Sequence, residues 1–80
     1  MADEMIQDGT PMRIVESSNI HAVGYDATDK ILKVRFNSGE LYYYFEVPPE
    51  LHEQLMLAPS IGKFFNQFVK KRYAYGRMEP

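Results

Sequence analysis

The sequence of 80 residues contains no cysteine and no tryptophan, and the first absence excludes several kinds of site. Without cysteine there is no disulfide bond, no thiolate nucleophile and no zinc site with cysteine ligands. No stretch approaches the roughly 20 apolar residues of a membrane-spanning helix. The acidic N-terminus also lacks the basic-then-apolar order of a signal peptide. We therefore expect a cytoplasmic protein without a membrane partner.

Length and composition predict one globular domain. Hydrophobic residues make up 45% of the chain and charged residues 25%, which is typical of a folded protein. A chain this short buries only about 60% of the surface that its unfolded form exposes, so its core is small. Residues 1–11 are polar and end in Gly9-Thr10-Pro11, which predicts a disordered acidic tail. We place the domain at residues 12–76 and a C-terminal tail at residues 77–80.

The charges are unevenly distributed along the chain. The formal net charge is −2, yet residues 60–78 contain no acid. The cations of this segment are Lys63, Lys70, Lys71, Arg72 and Arg77. They have two interpretations: a basic patch that attracts an anionic partner, or a solvated helix end whose cations offset the helix dipole.

Alternating apolar and polar residues predict a β-meander. Residues 12–16 are a short edge strand or an extended lead-in, and residues 20–25 and 30–36 are strands. Asn37-Ser38-Gly39 follows as a hairpin loop. Glycine in third place fits a three-residue loop whose last residue has a left-handed conformation.

The length of this loop sets the register of the hairpin. A three-residue loop pairs Val34 with Tyr42 and turns Tyr42 and Tyr44 towards the core. Tyr43 then lies on the outer face opposite Lys33, and we expect it to be the most exposed of the three tyrosines. A two-residue Ser38-Gly39 turn would reverse the faces. We favour the three-residue loop.

Two helices are predicted after the meander. Pro48-Pro49 ends the last strand and opens a first helix, which Pro59 ends. Ser60 caps a second helix, whose apolar residues recur at helical spacing. These residues are Ile61, Phe64, Phe65, Phe68 and Val69. The predicted fold is α+β: an antiparallel three- to four-stranded β-meander followed by two C-terminal α-helices packed on one face.

Over residues 12–75 the chain resembles the KTSC domain family. The matching residues are Ser17-Ser18-Asn19-Ile20, Gly24-Tyr25-Asp26, Leu32, Val34, Phe36, Gly39, Tyr42, Tyr44, Val47-Pro48, Leu55, Ala58, Ser60, Gly62, Phe64-Phe65-Asn66 and Tyr73. The family includes a module at the C-terminus of some lysyl-tRNA synthetases and small bacterial or phage proteins. The resemblance implies RNA binding, and its motif residues here are Ser17, Ser18, Tyr42, Tyr44, Gly62 and Asn66.

No catalytic or metal site is predicted. Ser17 and His21 could form an activated serine only if the chain were kinked, since four extended residues span roughly 13 Å. We instead expect residues 17–19 to cap a turn through side-chain hydrogen bonds. His52 lacks partners at metal-ligand spacing, so we expect no cofactor and place it on a helix shoulder near solvent.

The predicted nucleic-acid site combines a ring with cations. Tyr43 between Lys33 and Arg35 would form a stacking platform on the outer face of the sheet, or simply a solvated cation–π pair. Further cations in this site are Lys63, Lys70, Lys71 and Arg72. A helical glycine at position 62 indicates close approach of the segment 17–19, and we expect Asn66 to bond the backbone of that segment. The polar groove beside Gly62 and Asn66, next to Lys63 and Lys70, is the second place to expect a ligand.

The sequence therefore predicts a non-enzymatic binding module that is a monomer or weak homodimer. RNA or another single-stranded nucleic acid is the first expected partner. The alternative is a protein partner that meets a strand edge, or Met56 and Leu57 on the first helix. A small hydrolase using Ser17 ranks last.

Overall fold

The computed structural model describes residues 4–78, which form six strands and two helices. Residues 1–3 and 79–80, with the parts of the predicted tails that fall on them, lie outside the described residues. In chain order the elements are β1 (Glu4–Gln7), β2 (Thr10–Ile14), β3 (Ile20–Asp26), β4 (Ile31–Phe36), β5 (Leu41–Tyr44), α1 (Pro49–Leu57), α2 (Ile61–Phe68) and β6 (Tyr75–Met78).

The strands form one antiparallel sheet in the order β1-β2-β3-β4-β5-β6. The α+β class and the succession of a meander and two helices are confirmed, but the predicted number of three or four strands is wrong. One additional strand, β1, lies within residues 1–11, where a disordered tail was expected. Another, β6, occupies residues 75–78, across the predicted boundary between the domain and the C-terminal tail.

A two-residue turn joins β1 to β2. Asp8 and Gly9 both have positive φ, at 53° and 80°, and Gln7 pairs with Thr10 across the turn. Asp-Gly is among the strongest hairpin signals, because both positions of the favoured turn need left-handed backbone. Residues 4–11 therefore form strand β1, a turn and the start of strand β2, where a disordered tail was expected.

The register of the β4–β5 hairpin agrees with the prediction from its loop. Val34 pairs with Tyr42 and Lys33 with Tyr43. Gly39 has a φ of 99°, and the backbone N–H of Phe36 donates to the carbonyl of Glu40 at 2.8 Å. The three-residue loop with a left-handed glycine is confirmed.

Both helices pack on the sheet face that carries Val34 and Tyr44. Pro49 lies in the first turn of α1, as predicted, and Ser60 caps α2 by accepting from the backbone N–H of Lys63 at 3.3 Å. The buried core between sheet and helices comprises Ile20, Val23, Leu32, Val34, Tyr44, Val47, Leu55, Phe65 and Val69. Burial of these apolar side chains is the main favourable contribution to folding.

A second, smaller core lies on the opposite face of the sheet. Its buried residues are Met12, Ala22, Leu41 and Tyr43. The sheet curls so strongly that Gln7 of β1 contacts Lys33 and Arg35 of β4, although two strands separate β1 from β4 in the sheet. The β1–β2 hairpin therefore covers the face that was expected to be open to solvent.

Candidate functional site

The expected stacking platform on the outer face is closed by the β1–β2 hairpin. Tyr43 is only 8% exposed and Lys33 only 3%. The Lys33 ammonium lies 4.8 Å from the centre of the Tyr43 ring and donates to the Thr10 hydroxyl at 2.7 Å. Tyr43 and Lys33 are neighbours, as the register predicted. Tyr43 is more exposed than Tyr44, at 2%, but less exposed than the half-buried Tyr42, so the expectation that it is the most exposed of the three is wrong.

Hydrogen bonds hold the hairpin on this face. The Tyr43 hydroxyl donates to the carboxylate of Asp8. Burial, followed by this bond, raises the pKa of Tyr43 to about 12, so the hydroxyl remains a donor at neutral pH. The Arg35 guanidinium donates to the Gln7 side chain at 3.0 Å and to the Gly39 carbonyl at 2.7 Å. Lys33 and Arg35 thus form hydrogen bonds within the protein.

Residues 17–19 form the turn that the sequence predicted. The Ser17 hydroxyl donates to the Asn19 side chain at 3.1 Å and accepts from the backbone N–H of Ile20 at 3.3 Å. The Asn37 side chain donates to the Ser17 carbonyl at 3.0 Å, which ties this turn to the β4–β5 loop. The structural interpretation of Ser17 as a turn-capping residue is confirmed.

Gly62 lets α2 approach this turn closely, also as predicted. A Cβ atom at position 62 would lie 2.7 Å from the Asn19 side-chain oxygen and 3.2 Å from the Ser17 hydroxyl. Within residues 4–78, however, Asn66 forms no hydrogen bond to the turn, so the expected bond to its backbone is absent. Asn66 is exposed and faces the space between the turn and the sheet.

That space is a groove of about 710 Å³, which we call the aromatic groove. It lies between the end of the β4–β5 hairpin, strand β6 and helix α2. Its size is within the range of roughly 300–1,000 Å³ that is typical of ligand sites. Its lining residues are Ser18, Asn19, Phe36, Asn37, Ser38, Glu40, Tyr42, Tyr44, Phe65, Asn66, Lys70, Lys71 and Tyr75.

Three tyrosine rings contribute to the lining of the aromatic groove. Tyr75 is 58% exposed, and its ring centre lies 5.5 Å from those of Tyr42 and Tyr44. β6 brings Tyr75 there because it pairs directly with Tyr44. Tyr44 is buried, which raises the pKa of its hydroxyl to about 12. Sequence reasoning missed Tyr75, although aromatic residues favour strands.

The rim of the groove is polar and carries both signs of charge. Lys70 and Lys71, directly after α2, are exposed and line one wall. Glu40, just before β5, accepts from the Arg77 guanidinium at 3.3 Å, and this pair is itself accessible to solvent. Four of the family-motif residues line this groove: Ser18, Tyr42, Tyr44 and Asn66. Ser17 and Gly62 position its wall.

The other predicted cations lie elsewhere. Lys63 is exposed on α2 but is not part of the groove lining. Arg72 is also exposed, and its guanidinium lies 5.8 Å from the Phe68 ring centre. The structure therefore brings together Lys70 and Lys71 from the predicted set, and separates them from Lys33, Arg35 and Tyr43.

His52 is half-buried on α1, so the expectation that it lies near solvent holds only in part. Its ring stacks on Tyr25 with the two centres 4.8 Å apart. Burial lowers the pKa of His52, because the charged form loses hydration. Within residues 4–78 no group of three or more His, Cys, Asp and Glu residues could hold a metal ion, and no helix there is long and apolar enough to cross a membrane.

Comparisons with known proteins agree on one family. A sequence model described as "KTSC domain" matches residues 16–73. A protein from Tsukamurella paurometabola is 50% identical over 62 residues, which cover 78% of this chain and 92% of that protein. A protein from Stutzerimonas stutzeri is 44% identical over 81% of this chain and 93% of its own length.

Longer proteins and a solved structure match as well. A lysine–tRNA ligase from Nostoc sp. is 38% identical over 68 residues, which cover 85% of this chain but only 12% of the ligase. The crystal structure of a KTSC domain protein from Yersinia pestis superposes with a TM-score of 0.83 at 31% identity, and the match covers 88% of this chain and 99% of that protein. The chain belongs to the KTSC domain family.

Proposed function

We propose that this KTSC domain is a non-enzymatic binding module and that the aromatic groove binds single-stranded RNA. The observation that carries the proposal is the combination of an exposed ring, Tyr75, with two exposed lysines, Lys70 and Lys71, that form no ion pair or side-chain hydrogen bond within residues 4–78. Proteins that bind single strands combine these two elements, because bases stack on rings while cations follow the phosphates.

The polar groups of the rim suit a nucleic-acid ligand. The side-chain amide of Asn66 can both donate to and accept from a base edge. In the turn and the hairpin loop, Asn19 and Asn37 each use part of their amide for internal bonds and keep the rest for a ligand. An open groove with an exposed ring and exposed amide groups at Asn37 and Asn66 fits a single strand better than a duplex, whose bases are already stacked and paired.

The relatives add circumstantial support. Lysine–tRNA ligases carry a region similar to this chain, and a ligase of that name acts on an RNA. The basic segment at residues 60–78 also favours an anionic ligand, although the whole chain is slightly acidic. The groove replaces the outer sheet face as the proposed site, because the hairpin buries Lys33 and Tyr43.

The test is a titration of fluorescently labelled, mixed-sequence single-stranded RNA followed by anisotropy. Two or three phosphate contacts predict a log–log salt slope of about −1.5 to −2 between about 50 and 200 mM salt. The double substitution Lys70→Ala/Lys71→Ala should flatten the slope by about 1.4. Tyr75→Ala should cost about 1–3 kcal/mol of binding energy, whereas Tyr75→Phe should retain the affinity because it keeps the ring.

A charge-matched control is Lys63→Ala/Arg72→Ala. It removes two cations close to α2, but both lie outside the groove. If this control weakens binding as much as Lys70→Ala/Lys71→Ala does, the attraction is diffuse and the groove is not the site. Absence of binding at about 100 μM protein in low salt contradicts RNA binding, since even non-specific binders associate at or below this range.

One observation favours a protein partner as the second proposal. Leu57 at the end of α1 is 82% exposed, although Met56 beside it packs against the core. A single exposed leucine is a weak signal for an interface. Under this alternative, Leu57→Ser would abolish partner capture without changing the melting temperature, and RNA would bind only feebly.

A further inference from the structure

Glu40 stands out among the residues that line the groove. Among the described lining residues it is the one acid, beside two lysines and three asparagines. Its side chain is 42% exposed, and one carboxylate oxygen accepts from Arg77 at 3.3 Å. A carboxylate repels phosphate, so its place in an RNA groove calls for a compensating contact with the ligand.

The carboxylate retains capacity for such a contact. Two carboxylate oxygens offer about four acceptor positions. Arg77 occupies one of them, and the Ser38 hydroxyl lies at 3.5 Å from the other oxygen. Glu40 can therefore still accept hydrogen bonds from a ligand in the aromatic groove, which Tyr42 and Tyr75 also line.

The four RNA bases differ in the donors that they can offer to a carboxylate. Guanine presents two adjacent donors, its ring N–H and its exocyclic amino group, on one edge. Adenine and cytosine present one amino group each, and uracil presents a single ring N–H flanked by two carbonyl oxygens. The carboxylate would repel those carbonyl oxygens, because both groups are hydrogen-bond acceptors with full or partial negative charge.

We infer that Glu40 makes the aromatic groove selective for guanine in single-stranded RNA. The base stacks on the tyrosine rings, and its ring N–H and amino group donate hydrogen bonds to the Glu40 carboxylate. This inference rests on the proposed RNA binding. The ion pair with Arg77 orients the carboxylate and offsets part of its repulsion with the phosphates. The expected order of affinity is guanine first, then adenine and cytosine, and uracil last.

The test compares short labelled oligoribonucleotides that differ at one central base in an otherwise uracil strand. Guanine should bind about 5- to 100-fold more tightly than uracil, which is the range of a good two-bond contact with a base. Glu40→Gln keeps the shape but loses the anionic acceptor, so the preference for guanine should fall to within about threefold. At the same time, binding of the all-uracil strand should improve.

Further comparisons separate recognition by Glu40 from structural support. If Glu40 only anchored β6 through Arg77, Glu40→Gln would weaken all oligonucleotides equally and leave their order unchanged, which would overturn the inference. Arg77→Ala removes the ion pair but keeps the carboxylate, so affinity should fall while guanine remains preferred. A third result would be binding that depends on salt and on Lys70 and Lys71 and yet is equal for all four bases. That result would support RNA binding in the groove and refute the selectivity for guanine.

Discussion

Replacing Phe65 by alanine is expected to remove about 3–5 kcal/mol of stability. Its side chain is fully buried between α2 and the sheet. Burial of a phenylalanine contributes about 1.5–3 kcal/mol. Its edge-to-face contacts with Tyr44 and Phe36, at 5.2 and 5.6 Å, add about 0.5–1.5 kcal/mol each. The sum approaches the whole stability of so small a domain, since about 5–15 kcal/mol is usual for a protein.

Urea unfolding followed by far-ultraviolet circular dichroism measures this loss. With a slope near 1 kcal/mol per molar urea, the midpoint should fall by about 3–5 M, or the protein should be unfolded in water. Phe65→Leu is a milder variant that keeps a folded baseline. Phe68→Ala, at a half-buried position of the same helix, is the matched control and should shift the midpoint far less. Equal shifts for Phe65→Ala and Phe68→Ala would refute the packing described.

Three further predictions concern other parts of the molecule. Gly62→Ala should destabilise the fold by about 1–2 kcal/mol, although alanine has a better helix propensity than glycine. The new methyl group would lie 2.7 Å from the Asn19 side-chain oxygen and would displace it. A raised melting temperature would contradict the close approach of α2 to residues 17–19. Lys33→Met should leave the salt dependence of RNA binding unchanged, because the Lys33 ammonium is buried beneath the β1–β2 hairpin. A weaker salt dependence would show that the outer face of the sheet binds RNA. Since burial lowers the pKa of His52 in the folded state, stability should be complete above its unfolded pKa near 6.5 and should decrease as pH falls from there towards the folded value. His52→Gln should remove that part of the pH dependence in melts at about pH 7.5 and about pH 5.5, and an unchanged pH dependence would contradict the burial of this ring.

The β4–β5 hairpin could be predicted because its determinants are local. A glycine at the third loop position needs left-handed backbone, and the loop length then fixes the pairing of Val34 with Tyr42. The cap at Ser60 and the apolar stripe of α2 are local signals of the same kind.

The curl of the sheet could not be predicted in the same way. The β1–β2 hairpin covers the outer face through contacts between residues 23 to 35 positions apart in sequence. Such contacts depend on how far the sheet twists rather than on any local pattern. The Asp8-Gly9 turn was nevertheless a local signal for the hairpin itself, and the acidic composition around it concealed that signal.

The site was only partly predictable for a similar reason. The sequence placed Lys63, Lys70 and Asn66 beside a groove next to residues 17–19, and of these Lys63 lies outside the groove lining. The contribution of Tyr75 and Arg77 depends on β6 returning to β5 after two helices, which is a non-local pairing. The role of Glu40 depends on that same pairing, because its partner lies in β6.

The most direct test of the central claim is a titration of isotopically labelled protein with single-stranded RNA, followed by the chemical shifts of the backbone amides. The groove proposal predicts that the largest changes occur at Ser18, Asn37, Asn66, Lys70 and Tyr75, which line the aromatic groove. The amides of Arg13 and Lys33, under or on the covering hairpin, should change little. Shifts concentrated on β2 and the outer face of β4, with the groove unaffected, would contradict the account.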